Sequence, residues 1–201
     1  VRLREYYFNR NQYDRAIEQY ELVLNYPVSS FYDKALYKLG WSYYLLNRYD
    51  EAISYFTKVI DFYEEGRGRR AVRGEDLKAE SMTYIAICFA EKHPFGGGEQ
   101  EAAEYFASIG SRPWEREILV RIGDVGFENA SYSGARSAYN AALERFPLHP
   151  DNPAVWKKIV ECYEREGDYD LAIEERERFA ERFGPGTEWW NANKDDPDAI
   201  R

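Results

Sequence analysis

The chain contains 201 residues and carries a formal net charge of −9 at pH 7. An acidic chain is a poor match for nucleic acids, because their phosphates recruit lysine and arginine. A mean hydropathy of −0.70 and the lack of a long apolar run argue against a membrane-spanning segment. We therefore expect no nucleic-acid partner and no direct membrane insertion of this segment.

The first element in chain order is a helix pair near residues 1–27. The stretch from Arg4 to Phe8 has the pattern of the end of one helix, and residues from Tyr13 to Tyr26 recur at helical spacing. Because the chain begins with Val1 and not with methionine, we expect this pair to be truncated and any targeting segment to be missing.

The clearest pattern lies near residues 31–64. Two runs of apolar and small residues recur at intervals of three and four, which is typical of amphipathic helices. They comprise Leu36, Leu39, Gly40 and Tyr43, then Ala52, Ile53, Phe56, Val59 and Ile60. Asn47 lies between them, and asparagine often ends a helix in the left-handed conformation. The short connection predicts two antiparallel helices that cross closely where Gly40 and Ala52 are small.

These residues resemble the tetratricopeptide repeat, which has a period of about 34 residues. The small alanine of the second helix recurs along the chain at Ala16, Ala52, Ala102, Ala135 and Ala172. The resemblance implies an all-α fold: a right-handed α-solenoid of antiparallel helix pairs, with about five repeats of which the first is truncated. Stability should then come from contacts between neighbouring repeats.

We expect residues 1–186 to form a single solenoid domain. After the first two helix pairs, repeats are predicted near residues 76–110, 113–147 and 152–184, with inserted loops at 64–76 and 93–98. In the last repeat, Ala172, Ile173 and Phe179 are predicted to face inward. Residues 187–201 form a C-terminal extension or the start of a further helical repeat, and Trp189 and Trp190 should cover the apolar end of repeat five.

The first inserted loop is rich in glycine and arginine. Its cationic side chains are Arg67, Arg69, Arg70 and Arg73. Two interpretations remain open for this loop. It could form a site for an anion or an acidic partner, or it could be a solvated insertion.

No pattern in the chain indicates catalysis. We find no nucleophile motif, no pair of metal ligands on one helix face and no nucleotide-binding fingerprint. Cys88 and Cys162 occupy matching positions in different repeats, so we expect two buried thiols rather than a disulfide. We therefore predict a protein that is not an enzyme, with no cofactor, no metal and no small-molecule substrate.

The resemblance also implies a binding surface. In tetratricopeptide repeats the first helix of each pair lines a concave groove. The register assigns to this groove Phe8, Tyr37, Trp41, Tyr44, Thr83, Ile87, Val120, Asp124 and Phe127, followed by Lys157, Glu161 and Glu164. Tyrosine and tryptophan are enriched at binding hot spots. The alternative is that Tyr37, Trp41 and Tyr44 pack only on their own neighbours. Tyr37 and Trp41 stand where chaperone adaptors need lysine and asparagine, which argues against binding of chaperone tails.

Residues 20–56 resemble bacterial envelope repeat proteins, such as the lipoprotein of the β-barrel assembly machine and the coordinator of the Tol-Pal system. This resemblance implies a protein–protein interaction scaffold in a cell-envelope complex, either periplasmic or associated with the outer membrane. The alternative is a regulatory or adaptor segment of a larger cytoplasmic protein whose effector domain lies outside this stretch.

Overall fold

The structure is a computed structural model that describes residues 2–66 and 77–200. Every regular element in this part of the chain is a helix. The chain divides into two compact units, Val1–Cys88 and Phe89–Arg201. Consecutive helices pack in pairs within each unit, as an α-solenoid of helix pairs requires, and the predicted all-α fold class is thereby confirmed. The prediction of one continuous solenoid domain stays a prediction.

The helices of the two units are short and closely spaced. The first unit contains α1 (Arg2–Phe8), α2 (Tyr13–Leu24), α3 (Tyr32–Leu45), α4 (Tyr49–Glu64) and the greater part of α5 (Leu77–Lys92). The second contains the end of α5, then α6 (Gly98–Ile109), α7 (Glu115–Glu128), α8 (Tyr132–Arg145), α9 (Asn152–Glu166), α10 (Tyr169–Phe183), α11 (Glu188–Asn193) and α12 (Pro197–Ile200).

Helices α3 and α4 form the predicted antiparallel hairpin. The start of α3 meets the end of α4, where the Tyr63 hydroxyl donates to Asp33 Oδ2 over 2.9 Å. At the other end of α3, the ring of Tyr43 stacks on that of Tyr55 with centroids 5.3 Å apart. Because these contacts join the start of one helix to the end of the other, the two helices must run in opposite directions. The inward residues predicted for this hairpin are all buried.

The hairpin depends on a glycine that lies under an aromatic ring. A Cβ atom on Gly40 would sit 2.7 Å from Cε1 of Phe56, whose side chain is fully buried. The same arrangement recurs in the second unit, where a Cβ atom on Gly123 would collide with the ring of Tyr139. Real Cβ atoms do not approach carbon this closely, so both crossings need glycine. This finding confirms the close crossing predicted at Gly40.

The turns between paired helices use one backbone conformation repeatedly. A residue with positive φ stands two positions before a tyrosine that begins the next helix. These residues are Asn11, Asn47 and Ala130, each with φ of 57°, and Gly167 with φ of 85°. Asparagine tolerates this left-handed region and glycine is unstrained in it, whereas alanine is strained. The prediction for Asn47 is confirmed, and Ala130 is the strained member of the set.

The end of the second unit differs from expectation in one respect. Ile173 was predicted to face inward, but its side chain is 50% exposed. The prediction is wrong because α11 is only six residues long and leaves this part of α10 uncovered. Instead, α11 buries Trp189, whose ring lies 5.3 Å from that of Phe183 and whose indole donates to the His149 carbonyl over 2.8 Å. The predicted covering role of Trp189 is therefore confirmed.

Replacing Gly40 by leucine should destabilise the first unit. The new side chain must displace the buried Phe56 ring, and overpacking of this kind costs about 1–3 kcal/mol of unfolding free energy. Chemical denaturation of both proteins measures the difference. The control is Glu18→Leu, an exposed position on α2, which should change stability by less than about 0.5 kcal/mol. Equal stability of Gly40→Leu and the parent would contradict the crossing geometry.

Replacing Ala130 by glycine should stabilise the second unit. Relief of the left-handed strain outweighs the added flexibility of the unfolded chain, and we expect a gain of about 0.5–1 kcal/mol. Thermal denaturation checks the sign. The matched control is Ala107→Gly on the exposed face of α6, where the same exchange should cost about 0.5–1 kcal/mol. A loss of stability at both positions would show that Ala130 is unstrained.

Candidate functional site

Nine of the twelve residues predicted to line the groove, those from Phe8 to Phe127, share one property, whereas Lys157 and Glu161 of α9 are exposed. Each of the nine is half-buried in the structure: none belongs to the core and none is fully exposed. This is the exposure expected of side chains on the outer face of a helix that is flanked by neighbours. Six of them lie in the first unit and three in the second, and the two sets have different surroundings.

In the first unit, four aromatic rings form a cluster on α3 and α5. Trp41 lies 4.3 Å from Tyr84 and 5.8 Å from Tyr44, and Tyr44 lies 5.5 Å from Tyr84, measured between ring centroids. Tyr37 meets Trp41 edge to face at 6.4 Å. We call Tyr37, Trp41, Tyr44 and Tyr84 the aromatic surface. From α5 the sequence analysis predicted Thr83 and Ile87 as groove residues and missed Tyr84. The aromatic residue next to Thr83 was the signal that could have identified it.

The aromatic surface rests on a buried ring. Phe56 of α4 lies 5.9 Å from Tyr37 and stacks on Tyr84 at 5.6 Å, with ring planes 23° apart. Phe56 is the same residue that fills the crossing at Gly40. The four outer rings are therefore held from below by the core of the hairpin. Their rotamers are fixed by mutual packing, which reduces the entropy that they would lose on binding a partner.

The polar groups of the aromatic surface are neutral: three tyrosine hydroxyls and the indole N–H of Trp41. The Tyr37 hydroxyl donates to Glu80 of α5, and burial, reinforced by this bond, raises the pKa of Tyr37 above its usual value. Burial, followed by the charge of Glu80, also raises the pKa of Tyr84. A phenol is already protonated at physiological pH, and these shifts move its ionisation further away. The surface offers ring faces and hydroxyl groups to a partner rather than positive charge.

The other predicted groove residues of the first unit either lie outside the aromatic surface or bond within their own helix. Phe8 packs on Tyr13 and Tyr20 at 5.6 and 6.4 Å, and the Lys38 ammonium lies 4.3 Å above its ring. The Thr83 hydroxyl donates to the Ala79 carbonyl within α5 over 3.1 Å. Ile87 is half-buried on the same helix.

In the second unit the predicted face carries paired charges. Asp124 accepts hydrogen bonds from the Tyr139 hydroxyl over 2.7 Å and from the Lys158 ammonium over 2.6 Å. Burial, and then the bond to Asp124, raises the pKa of Tyr139. Phe127 lies 5.4 Å from Tyr132. Val120 packs against the apolar cluster that α8 and α9 share. This face differs from the aromatic surface because its central carboxylate already has a cationic partner.

Other sequence predictions concern chemistry outside the groove. Arg67, Arg69, Arg70 and Arg73 lie outside the described residues, so an anion site on that loop stays a prediction. Cys88 and Cys162 are both buried, as expected. Over residues 2–66 and 77–200 there is no cluster of three metal-ligating side chains. Across the same residues, no helix combines the length and the hydropathy needed to cross a membrane.

Comparison with known families places repeats in both units. A family model described as tetratricopeptide repeat matches residues 33–65, and a second model with the same description matches residues 120–186. The first match covers the hairpin of α3 and α4, and the second covers α8 to α10 with most of α7.

A curated relative is the general transcriptional corepressor trfA of Dictyostelium discoideum. It is 30% identical over 130 residues, which cover 64% of this chain. The aligned stretch spans only 9% of the relative's own length. The likeness is therefore to a small part of a much longer protein.

Several solved structures share a distant likeness. The MamA protein has a TM-score of 0.41 and 16% identity, covering 97% of this chain and 92% of its own. BtubC from P. vanneervenii has a TM-score of 0.41 and 18% identity, covering 89% and 76%. A putative kinesin light chain from Podosopora anserina has a TM-score of 0.40 and 14% identity, covering 90% and 91%. Likenesses at this level carry no argument about what this chain does.

The paired antiparallel helices, the glycine under an aromatic ring and the two family matches agree with one another. The chain carries tetratricopeptide repeats, at residues 33–65 and again at residues 120–186.

Proposed function

We propose that this chain is a non-enzymatic protein–protein interaction scaffold that binds a segment of a partner protein at the aromatic surface. The observation that carries the proposal is the half-buried Trp41, which is packed against three tyrosines on the predicted groove face of the first unit. Tryptophan and tyrosine dominate the energetics of protein interfaces.

The arrangement of the rings favours binding over a purely structural role. Rings that served only the core would be fully buried, as Phe56 is. The four rings of the aromatic surface instead keep part of each side chain in solvent. A partner that covers them gains apolar burial without ordering flexible side chains, because each ring is already held by its neighbours.

The surface also defines the chemistry of the partner segment. Ring faces favour apolar side chains, and tyrosine hydroxyls can exchange hydrogen bonds with a polar backbone. The charged group that the structure records against Tyr37 and Tyr84 is the carboxylate of Glu80, which would repel an anion. The partner segment is therefore an extended or helical peptide with apolar anchors, rather than a phosphorylated or strongly acidic one.

The cellular setting is also part of the proposal. The resemblance of residues 20–56 to bacterial envelope proteins supports a periplasmic or outer-membrane-associated complex, and it is the sole support for that compartment. A cytoplasmic location is the alternative.

A second candidate function rests on a different observation. The stretch that resembles the Dictyostelium corepressor is a small fraction of that protein. This supports the alternative of a regulatory or adaptor repeat segment within a larger protein. The two candidates differ in the proteins that the chain should contact, namely envelope proteins for the first and regulatory machinery for the second.

Substitutions in the aromatic surface should weaken partner capture without unfolding the chain. We expect Trp41→Ala or Tyr44→Ala to lower the affinity for a captured partner by about 30-fold, the equivalent of about 2 kcal/mol at a hot spot. Crosslinking mass spectrometry on the tagged full chain in its native cells identifies the partner, and titration with that partner measures the loss. Circular dichroism melting confirms that each variant is folded.

The matched control is Tyr26→Ala, a 67% exposed tyrosine of the same unit outside the aromatic surface. It should leave the affinity unchanged. Unchanged affinity of folded Trp41→Ala and Tyr44→Ala would overturn the proposed site. Crosslinks confined to residues 67–73 would instead move the site to the arginine-rich loop.

A further inference from the structure

A ring, a carboxylate and a cation meet at several points on the described helices. In the second unit, the Arg136 guanidinium of α8 lies 4.1 Å from the ring centroid of Tyr163 and pairs with Glu166. Both partners belong to α9. The cation is held from two sides, because the face of the ring and the carboxylate both carry negative potential.

A second case also includes a tyrosine hydroxyl. Asp124 Oδ1 accepts the Tyr139 hydroxyl over 2.7 Å and the Lys158 ammonium over 2.6 Å, and the ammonium lies 5.7 Å from the Tyr139 ring. In this protein a carboxylate that accepts a phenol therefore still binds a cation. The bond leaves the carboxylate charged, because the proton stays on the phenol.

The first unit has the same combination at the turn between α3 and α4. Arg48 lies 4.7 Å from the ring centroid of Tyr43, and its Nε donates to Glu51 Oε1 over 2.9 Å. In each of these three cases the chain itself supplies the ring, the carboxylate and the cation.

The aromatic surface contains the rings and the carboxylate. Glu80 of α5 accepts the hydroxyl of Tyr37. It stands four residues before Tyr84 on the same helix, so the two side chains share one face. The Tyr84 ring in turn lies 4.3 Å from that of Trp41, between centroids. Carboxylate and rings therefore come together here as they do in the three complete cases.

The cation is absent from the described part of this surface. Within residues 2–66 and 77–200, no lysine or arginine pairs with Glu80 or lies over the rings of Trp41 and Tyr84. Burial and then Glu80 raise the pKa of Tyr37 and of Tyr84, and no described cation opposes either shift. The Glu80 side chain is exposed. An uncompensated negative charge therefore stands beside partly exposed rings.

A purely apolar partner would leave this charge without compensation. A segment that covers the four rings also removes water from Glu80, and burial of a carboxylate without a partner costs free energy. A cation on the segment offsets that cost and is attracted by the ring faces as well. The net charge of −9 on the whole chain also favours the approach of a basic segment.

We propose that the aromatic surface binds a lysine or arginine side chain of the partner segment, which pairs with Glu80 and lies over the rings of Trp41 and Tyr84. The apolar anchors of the segment then flank this basic residue. The proposal rests on the function proposed above, because both concern the same surface. It adds the charge of the residue at the centre of the site.

Two synthetic peptides separate charge from apolar burial. Both are acetylated and amidated heptapeptides with leucine at the second and sixth positions and alanine elsewhere, except that the central residue is arginine in one and citrulline in the other. Citrulline has the shape of arginine without its charge. Each is titrated into the full 201-residue chain. The indole N–H signal of Trp41 in the NMR spectrum, assigned with Trp41→Phe, reports binding. We expect the arginine peptide to bind about fivefold more tightly.

Glu80→Gln tests the carboxylate. Glutamine can still accept the Tyr37 hydroxyl, so this variant removes the charge and keeps the hydrogen bond. It should weaken binding of the arginine peptide by about threefold to fivefold and leave the citrulline peptide unchanged. The matched control is Glu18→Gln, an exposed carboxylate on α2. It removes the same charge from the same unit and should bind both peptides as the parent chain does.

Three results would overturn the proposal. The first is equal affinity of the two peptides at Trp41, which would leave the aromatic surface as an apolar site and the proposed function intact. The second is no shift of the Trp41 signal by the arginine peptide, and the partner titration with Trp41→Ala then decides the proposed function separately. The third is binding of the arginine peptide only after Arg67, Arg69, Arg70 and Arg73 are replaced by glutamine, because the chain itself would then supply the cation.

Discussion

The contact between a glycine and an aromatic ring sets the geometry of the α3–α4 and α7–α8 hairpins. At Gly40 and at Gly123 the absence of a side chain lets the next helix approach until its ring lies on the backbone. The spacing of the two helices follows from this approach. The position of Phe56 also follows from this approach. Its ring fills the crossing and lies beneath Tyr37 and Tyr84. The candidate binding surface is therefore built directly on the constraint that defines the repeat.

Much of the hairpin could be predicted from sequence because its determinants are local. The inward residues of α3 and α4 follow a helical period, and Asn47 marks the turn with a residue that accepts positive φ. Contacts between different helix pairs were harder to predict from the sequence. Tyr84 joins Trp41 across helices that are far apart in sequence, and no local periodicity encodes that approach.

The error at Ile173 has a different physical origin. Periodicity shows which face of α10 is apolar, but it does not show whether another helix covers that face. Helices α2 and α8 are each packed against the helix that follows them, and a rule derived from them assumes the same here. The shortness of α11 breaks the assumption. The paired charge of Asp124 and Lys158 escaped sequence reasoning for a related reason, since a lysine of the next helix supplies the partner.

The predicted groove faces of the two units use different balances of forces. The aromatic surface presents uncharged rings, and burial raises the pKa of Tyr37 and Tyr84 further above physiological pH. Its affinity would come from apolar area on rings that are already ordered. The face of the second unit instead carries the paired charges of Asp124 and Lys158. Charges at the edge of a site act mainly on encounter rate and specificity.

The glycine–ring contact also bears on how the chain reaches its native state. Gly40 and Phe56 are 16 residues apart, as are Gly123 and Tyr139. Closing so short a loop costs little chain entropy, and proteins dominated by such local contacts fold rapidly. Each unit contains one of these hairpins, so either can serve as a nucleus on which neighbouring helices condense. We therefore expect that folding can begin at either hairpin, so that damage to one leaves the other able to start the process.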